Sequence, residues 1–137
     1  MNPSTPTLEE EAIRVVQRQV ELYNLRDLDR FMTVFTEDAQ IFDGWTGKLV
    51  ARGVTGIRPR YQQRFLTPVR CRFIGRLVLG NIVVDREVVS GLPDGTSVEC
   101  LAVYTVNVPA AKISKCVLFW GQPPQESSGR FTNPGAA

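Results

Sequence analysis

Hydrophobic residues recur at helical spacing over the first third of the chain. Thr7 and Glu10 form a capping-box pattern, which predicts a helix that begins near Leu8. Asp27 is placed to cap a second, short helix after a break at residues 24–26. The predicted inward stripes of these helices are Ala12, Val15, Val16, Val20 and Tyr23, and then Leu28, Phe31, Met32 and Phe35.

The spacing then changes from helical to alternating. Gln40 to Asp43 has the alternation of a strand, residues 44–53 are typical of a loop or loose hairpin, and a third helix is predicted from about Val54 to Phe65. Three helices followed by a meander of strands predict an α+β fold, in which the helices pack on one face of a curved, mostly antiparallel sheet. The four long predicted strands are Val69–Leu79, Ile82–Ser90, Ser97–Asn107 and Lys112–Trp120.

The chain of 137 residues is long enough for one domain with a hydrophobic core. We expect this domain to span residues 8–121, after a flexible N-terminus (1–7) and before a disordered tail rich in Pro, Gly and Ser (122–137). No apolar run reaches the roughly 20 residues of a membrane helix. Because the first residues also lack the pattern of a secretory signal, a cytoplasmic location is expected.

The residues available for chemistry are restricted. The chain has no histidine, which excludes histidine-based triads and most zinc and non-haem iron sites, so neither a metal nor a cofactor is expected. Cys71, Cys100 and Cys116 match no disulfide or metal-binding spacing, and each lies in an apolar stretch, which predicts buried free thiols. A general base would therefore be Asp, Glu, Tyr, Lys or Cys.

Basic residues are concentrated in the middle of the chain. Residues 44–84 hold eight bases and no acid, whereas residues 1–43 hold nine acids and four bases. No aromatic interleaving or binding motif accompanies the arginines, which favours a solvated face that offsets the acidic first helices over a nucleic-acid site. The central excess includes Arg58, Arg60, Arg64, Arg70, Arg72 and Arg76.

Three polar side chains fall on rows that otherwise predict core. Gln19 lies on the stripe of the first helix, Asp43 shares a strand face with Ile41, and Arg86 interrupts an aliphatic row. Burying such groups is costly unless they find partners, so they form either the wall of a ligand pocket or a structural Asp43–Arg86 ion pair helped by Gln19. Glu99 is a further inward candidate, but its place near a strand start favours exposure. The predicted core row around Arg86 is Ile82, Val84, Arg86 and Val88.

Several other side chains would complete such a pocket. Tyr23 and Tyr61 would add hydroxyl groups, and Trp45 and Trp120 would add apolar wall, with plain core packing as the alternative for each aromatic residue. A further row is expected to face the helices and consists of Cys116, Leu118 and Trp120.

The segment VVQRQVELYNLRDLDRFMTVFTEDAQIFD, residues 15–43, resembles the opening of ketosteroid isomerase, a member of the superfamily of cone-shaped α+β proteins called NTF2-like or SnoaL-like. The last two strands, SVECLAVYTVNVPAAKISKCVLFWG, also align without gaps. The resemblance covers about residues 8–121 and implies the cone-shaped fold, a fold that supports many activities.

The resemblance carries the isomerase's catalytic base to Asp43 and a supporting tyrosine to Tyr61. The isomerase's oxyanion-binding tyrosine and aspartic acid are replaced here by Gln19 and Val103, and Arg86 stands at the position of a pocket phenylalanine. Faithful steroid isomerisation is therefore not expected. The limonene-epoxide hydrolase branch pairs carboxylates with an arginine, and Asp43, Arg86 and Glu99 resemble that set without a match position by position.

Two functions are consistent with these residues. One is a cofactor-independent isomerase, cyclase or dehydratase, in which Asp43 moves a proton of an apolar carbonyl compound while Arg86, Gln19 and Tyr61 bind the developing negative charge. The other is a non-catalytic module that binds a ligand or a protein and contains a structural Asp43–Arg86 pair. The resemblance to the limonene-epoxide hydrolase branch adds an epoxide-hydrolase-like enzyme as a further alternative. The superfamily's habit of pairing sheets also implies a homodimer, whose predicted outer row is Val98, Cys100, Ala102, Tyr104 and Val106.

Overall fold

Three helices and six strands make up the described part of the chain, residues 5–121 of a computed structural model. The strands form one sheet in the order β2-β1-β6-β5-β4-β3, in which β1 and β6 are parallel and all other neighbours are antiparallel. This is the predicted α+β architecture. The elements are α1 (Leu8–Leu25), α2 (Leu28–Met32), β1 (Phe35–Asp43), β2 (Leu49–Arg52), α3 (Gly53–Arg64), β3 (Arg70–Leu79), β4 (Ile82–Ser90), β5 (Val98–Asn107) and β6 (Lys112–Trp120).

Side-chain caps fix the starts of the first two helices. The Thr7 hydroxyl accepts a hydrogen bond from the backbone N–H of Glu10 (3.1 Å), and the Glu10 carboxylate accepts one from the backbone N–H of Thr7 (3.2 Å). Asp27 accepts in the same way from the backbone N–H of Arg30 at 3.2 Å. Both predicted starts are therefore confirmed, because these caps satisfy backbone donors that the helix itself leaves unpaired.

The first strand is longer than its alternation predicts. Phe35, expected on the second helix, opens β1 instead and remains buried. The segment expected to be a loop or loose hairpin contains the short strand β2, which pairs with β1. The four long strands lie within one residue of their predicted bounds, since each is framed by turn residues.

The core lies between the helices and the concave face of the sheet. Phe31, at 0% exposure, stands at the centre of an aromatic cluster, with its ring centroid 4.6 Å from that of Tyr61 and 5.2 Å from those of Phe35 and Phe65. Tyr23 packs edge-on against Phe65 at 5.3 Å. This cluster joins α1, α2 and α3 at one end of the sheet.

The inward face of β4 is the opposite of the predicted one. Asp85 and Glu87 are buried, whereas Arg86 is exposed, so the expectation that Arg86 faces the core is wrong. Both rows of this strand mix aliphatic and charged residues. Alternation alone therefore predicted that the row with one charged residue faces the core and that the row with two faces solvent. The row with two acids is buried because Arg76 and Cys71 supply it with partners. The observed inward row is Val83, Asp85, Glu87 and Val89.

The face of β5 is reversed in the same way. Cys100, Ala102, Tyr104 and Val106 are buried under the helices, so their predicted place on the outer face is wrong. Val103 belongs to the outer row instead. The outer row of β5 also carries Glu99, Thr105 and Asn107, so alternation itself favours the observed face, and the error arose from assigning the apolar row to a dimer interface. A continuous outer row crosses the sheet through paired positions: Leu77, Val84, Val103, Val117 and Phe42.

Two further observations concern the described residues. All three cysteines are buried and free, as predicted. No described helix is long and apolar enough to cross a membrane. The predictions for the flexible N-terminus and for the disordered tail fall mainly or wholly outside the described residues.

Candidate functional site

A cavity lies between α1, α3 and the concave face of the sheet. Of its 13 lining residues, 11 are buried, and only Arg64 and Trp120 are partly exposed, so these two mark its mouth. The space open to the centre of a water molecule is about 30 Å³, which is room for about two waters. The lining residues are Gln19, Val20, Tyr23, Phe35, Tyr61, Arg64, Cys71, Glu87, Val89, Tyr104, Cys116, Leu118 and Trp120.

Glu87 is the carboxylate in the wall of this cavity. β4 points it inward, it is 6% exposed, and the Cys71 thiol donates a hydrogen bond to it at 3.1 Å. Burial raises the pKa of Glu87 to about 7, the Cys71 hydrogen bond opposes that rise, and the charge of nearby Asp85 adds to it. Both protonation states are therefore populated near neutral pH, which suits a group that accepts and returns a proton.

Three tyrosines supply hydroxyl groups to the wall. Burial raises the pKa of Tyr23 to about 12, and it also raises the pKa values of Tyr61 and Tyr104. All three therefore remain protonated and can donate hydrogen bonds to a ligand. The Tyr104 hydroxyl donates to the side-chain oxygen of Gln19 at 3.3 Å, which fixes the Gln19 side chain at the wall.

Arg64 is the cation of the cavity wall. The last turn of α3 places it at the mouth, where its guanidinium donates to the Tyr23 hydroxyl at 3.4 Å. The same guanidinium lies 5.6 Å from the ring centroid of Trp120. The mouth is thus closed by a cation–π contact between a helix and the last strand.

Asp43 lies beside the cavity but outside its wall. It shares the buried face of β1 with Ile41, as predicted, and it pairs in register with the cavity residue Leu118. Its carboxylate accepts hydrogen bonds from the Thr46 hydroxyl (2.6 Å), the Thr46 N–H (3.2 Å) and the Trp45 N–H (3.4 Å). The carboxylate therefore organises the turn that follows β1, and its predicted catalytic role stays a prediction.

The outer face holds three of the predicted site residues. The side chain of Arg86 is 61% exposed and pairs with Glu99 at 2.9 Å, so its carboxylate partner is Glu99 rather than the predicted Asp43. Trp45 lies near it in a shallow outer hollow and donates its indole N–H to the backbone oxygen of Trp120 at 2.9 Å. Val103, expected in the pocket, faces outward because β5 has the reversed face described above.

The structure therefore brings together part of the predicted set and adds residues to it. Glu87 was missed because its row depends on partners from another strand. Arg64 lies three residues after Tyr61 on the same helix face, and that spacing is the signal that could have found it. The predicted residues that line the cavity are Gln19, Tyr23, Tyr61, Cys116, Leu118 and Trp120, and those that do not are Asp43, Trp45, Arg86 and Val103.

Metal ligation finds no support in the described residues. No group of three or more Cys, Asp or Glu side chains within residues 5–121 is arranged to hold a metal ion. Asp85, the acid nearest to Glu87 along β4, forms two hydrogen bonds with the Arg76 guanidinium at 2.6 and 2.9 Å.

Residues 16–115 match the family model of the SnoaL-like domain, and the chain belongs to this family. The fold is the NTF2-like cone, which solved structures such as an NTF2-like protein from Burkholderia xenovorans share (12% identity, TM-score 0.70, over 88% of this chain and 91% of its own). A search of curated proteins gives no match.

Solved structures share this fold at low sequence identity. A candidate ketosteroid isomerase from Kribbella flavida is 15% identical with a TM-score of 0.73, over 90% of this chain and 87% of its own. SalBIII, an epoxide hydrolase/cyclase-like enzyme of pyran ring formation in the polyether salinomycin, is 22% identical with a TM-score of 0.71, over 82% and 92%. A candidate SnoaL-like polyketide cyclase from Shewanella denitrificans is 9% identical with a TM-score of 0.68, over 80% and 89%.

Proposed function

We propose that this protein is an acid–base enzyme that isomerises, cyclises or dehydrates a small, largely apolar carbonyl compound. The observation that carries the proposal is Glu87, a buried carboxylate in a cavity whose other polar groups, apart from the Gln19 oxygen, can donate hydrogen bonds. Its pKa near 7 lets it act as base and acid in turn within one reaction. No other carboxylate lines this cavity among the described residues.

The residues of the wall define a two-step proton transfer. Glu87, as the carboxylate, takes a proton from the carbon beside the substrate carbonyl, and the electron pair of that bond moves onto the carbonyl oxygen. Tyr61 and Tyr23 donate hydrogen bonds to the resulting enolate, since both stay protonated. Protonated Glu87 then returns the proton to a different carbon of the extended enolate in an isomerisation. In a ring closure the enolate carbon attacks a second carbonyl of the substrate and the proton goes to the resulting alkoxide, and in a dehydration it goes to the hydroxyl group that leaves as water.

The structural neighbours agree with this reaction class. One is described as a ketosteroid isomerase candidate, one as an epoxide hydrolase/cyclase-like enzyme and one as a candidate polyketide cyclase. Each of these reactions requires a proton to move at a largely apolar substrate. Function is not fixed by fold, so for this chain the argument depends on the cavity residues.

The test is hydrogen–deuterium exchange at the carbon beside the carbonyl of 2-tetralone, followed by proton NMR in deuterated buffer. We expect the protein to accelerate exchange and the Glu87→Gln variant to lose about 10²-fold or more of that acceleration. Asp43→Asn is the matched variant, because it makes the same chemical change at the base that the resemblance implies. Lost exchange in Asp43→Asn with full exchange in Glu87→Gln would transfer the role of base to Asp43.

The second candidate function is a non-catalytic ligand-binding module, and the Cys71 hydrogen bond that already engages the Glu87 carboxylate favours it. In that case neither variant would change the exchange rate. Equal background exchange in the wild-type protein, Glu87→Gln and Asp43→Asn, together with binding of 2-tetralone, would decide for the module.

We also propose that the protein forms a homodimer through the outer face of its sheet. The support is the outer row of paired apolar residues, of which Leu77 is 75% exposed and the other four are partly exposed. An exposed, continuous apolar surface on a small domain is typical of an interface.

A further inference from the structure

We propose that Arg64 binds a planar anionic group of the substrate, a carboxylate or an enolate, and that it does so after its contact with Trp120 opens. This inference names the substrate class of the site proposed above and therefore rests on that proposed function. Arg64 lines the cavity, and most of the hydrogen-bond donors of its guanidinium have no acceptor among the described residues.

The guanidinium of Arg64 has no anionic partner among the described residues. Its contacts there are one long hydrogen bond to the Tyr23 hydroxyl (3.4 Å) and the face of Trp120 (5.6 Å). Four other arginines, among them Arg76, have a carboxylate at 3.6 Å or less, whereas Arg64 has none although it is the arginine that lines the cavity. A guanidinium presents five donors in a planar fork that matches the two oxygens of a carboxylate.

Because Arg64 lines the cavity, the free N–H donors of its guanidinium are available to a ligand there. Arg64 lines the same wall as Glu87, Tyr23 and Tyr61, so a ligand that meets the proton-transfer group also meets the cation. The rest of the lining is apolar or hydrogen-bond donating, apart from Glu87 itself and the Gln19 oxygen, which already accepts from Tyr104. An anionic oxygen group attached to an apolar body is the ligand that this set complements.

The mouth must open before such a ligand enters. The free space of about 30 Å³ holds about two waters, less than any aromatic acid requires. Arg64 and Trp120 are the two partly exposed members of the wall, and their mutual contact covers the entrance. A side-chain rotation that separates them would expose the cavity and free the guanidinium together, so opening and anion binding are coupled.

Isothermal titration with benzoate and benzamide tests the proposal, because these probes share size and shape and differ in charge. We expect the wild-type protein to bind benzoate about tenfold more tightly than benzamide at about pH 6, where Glu87 is mostly protonated. The preference should shrink at about pH 8, where the Glu87 carboxylate repels the anion. Arg64→Gln should abolish the preference for benzoate. Arg64→Lys should keep part of it, because the positive charge remains but the planar guanidinium that can bind both carboxylate oxygens is lost.

Arg86→Gln is the matched control, since it removes an arginine of the outer face. A benzoate preference that is absent, survives Arg64→Gln, or falls equally in Arg86→Gln would overturn the proposal, and so would undetectable binding of both probes at millimolar concentration. Glu87→Gln separates this inference from the proposed reaction. That variant should retain the benzoate preference at both pH values even where it loses proton exchange.

Discussion

At the scale of single residues, Glu87 links the chemistry of the cavity to the stability of the protein. A carboxyl whose folded pKa is about 7, against an ordinary value of 4.5, binds more protons in the folded state between those pH values. Stability is therefore expected to fall as the pH rises through that window, by about 3 kcal/mol in total. Urea unfolding at several pH values from about 5 to 8 measures this slope.

Two variants identify the source of that slope. Glu87→Gln should flatten it, because the variant has no charge to desolvate, and should be more stable than the wild-type protein at the alkaline end. Glu99→Gln, the same change at a glutamate whose side chain is 54% exposed, should leave the slope unchanged. An unchanged slope in Glu87→Gln would assign the pH dependence to another group.

Asp43 gives a prediction of stability that is independent of its predicted catalytic role. Asp43→Ala removes the acceptor of three hydrogen bonds from Trp45 and Thr46, and we expect a loss of about 1–3 kcal/mol in the free energy of unfolding. Thr46→Ala should lose less on its own, and it should add little in the double variant because the two side chains share a 2.6 Å bond. Full additivity of the two losses would contradict this account of the turn.

The sequence predicted a site residue correctly where the residues next to it in the chain determine which way its side chain points. Gln19 and Tyr23 lie on a helical stripe that their own neighbours define, and both reach the cavity. Glu87 could not be found in this way, because Cys71 and Arg76, the groups that make its burial possible, belong to β3. Arg86 was misplaced for the same reason.

At the scale of elements, β4 forms two arginine–carboxylate pairs that differ in burial, one with β3 and one with β5. Asp85 is fully buried and holds Arg76 through two hydrogen bonds, whereas the Arg86–Glu99 pair is more than half exposed. Asp85→Ala should cost about 3–5 kcal/mol, since it leaves a mostly buried guanidinium without its partner. Glu99→Ala should cost about 0–1 kcal/mol in the same urea titration. Similar losses of stability in the two variants would show that burial does not determine how much each pair contributes to the free energy of unfolding.

The bounds of the elements were largely predictable, because caps and turns are local signals. The Thr7–Glu10 capping box set the start of α1, and turn residues separated the four long strands. The start of β1 was missed because Phe35 continues the spacing of the helix before it, and only pairing with β6 makes it a strand. The face of β4, whose two rows both mix aliphatic and charged residues, depends on the partner strand as well.

At the scale of the whole molecule, the proposed dimer makes Leu77 the decisive position. Leu77→Asp introduces a charge into the outer apolar row and should convert a dimer into a monomer in sedimentation velocity, with an unchanged far-UV spectrum. Leu25→Asp is matched to it, because Leu25 is 68% exposed but lies at the end of α1, on the helical side. A monomeric wild-type protein, or equal dissociation in both variants, would count against this interface.

The parallel pairing of β1 with β6 means that the sheet cannot be completed until β6 has been synthesised. Phe35 and Asp43 find their sheet neighbours in Ile113 and Leu118, more than 70 residues later in the chain. A growing chain on the ribosome therefore carries β1 with one edge unprotected until the last strand has emerged. Binding of chaperones to the nascent chain should accordingly be strongest when all three helices have been synthesised but β6 has not.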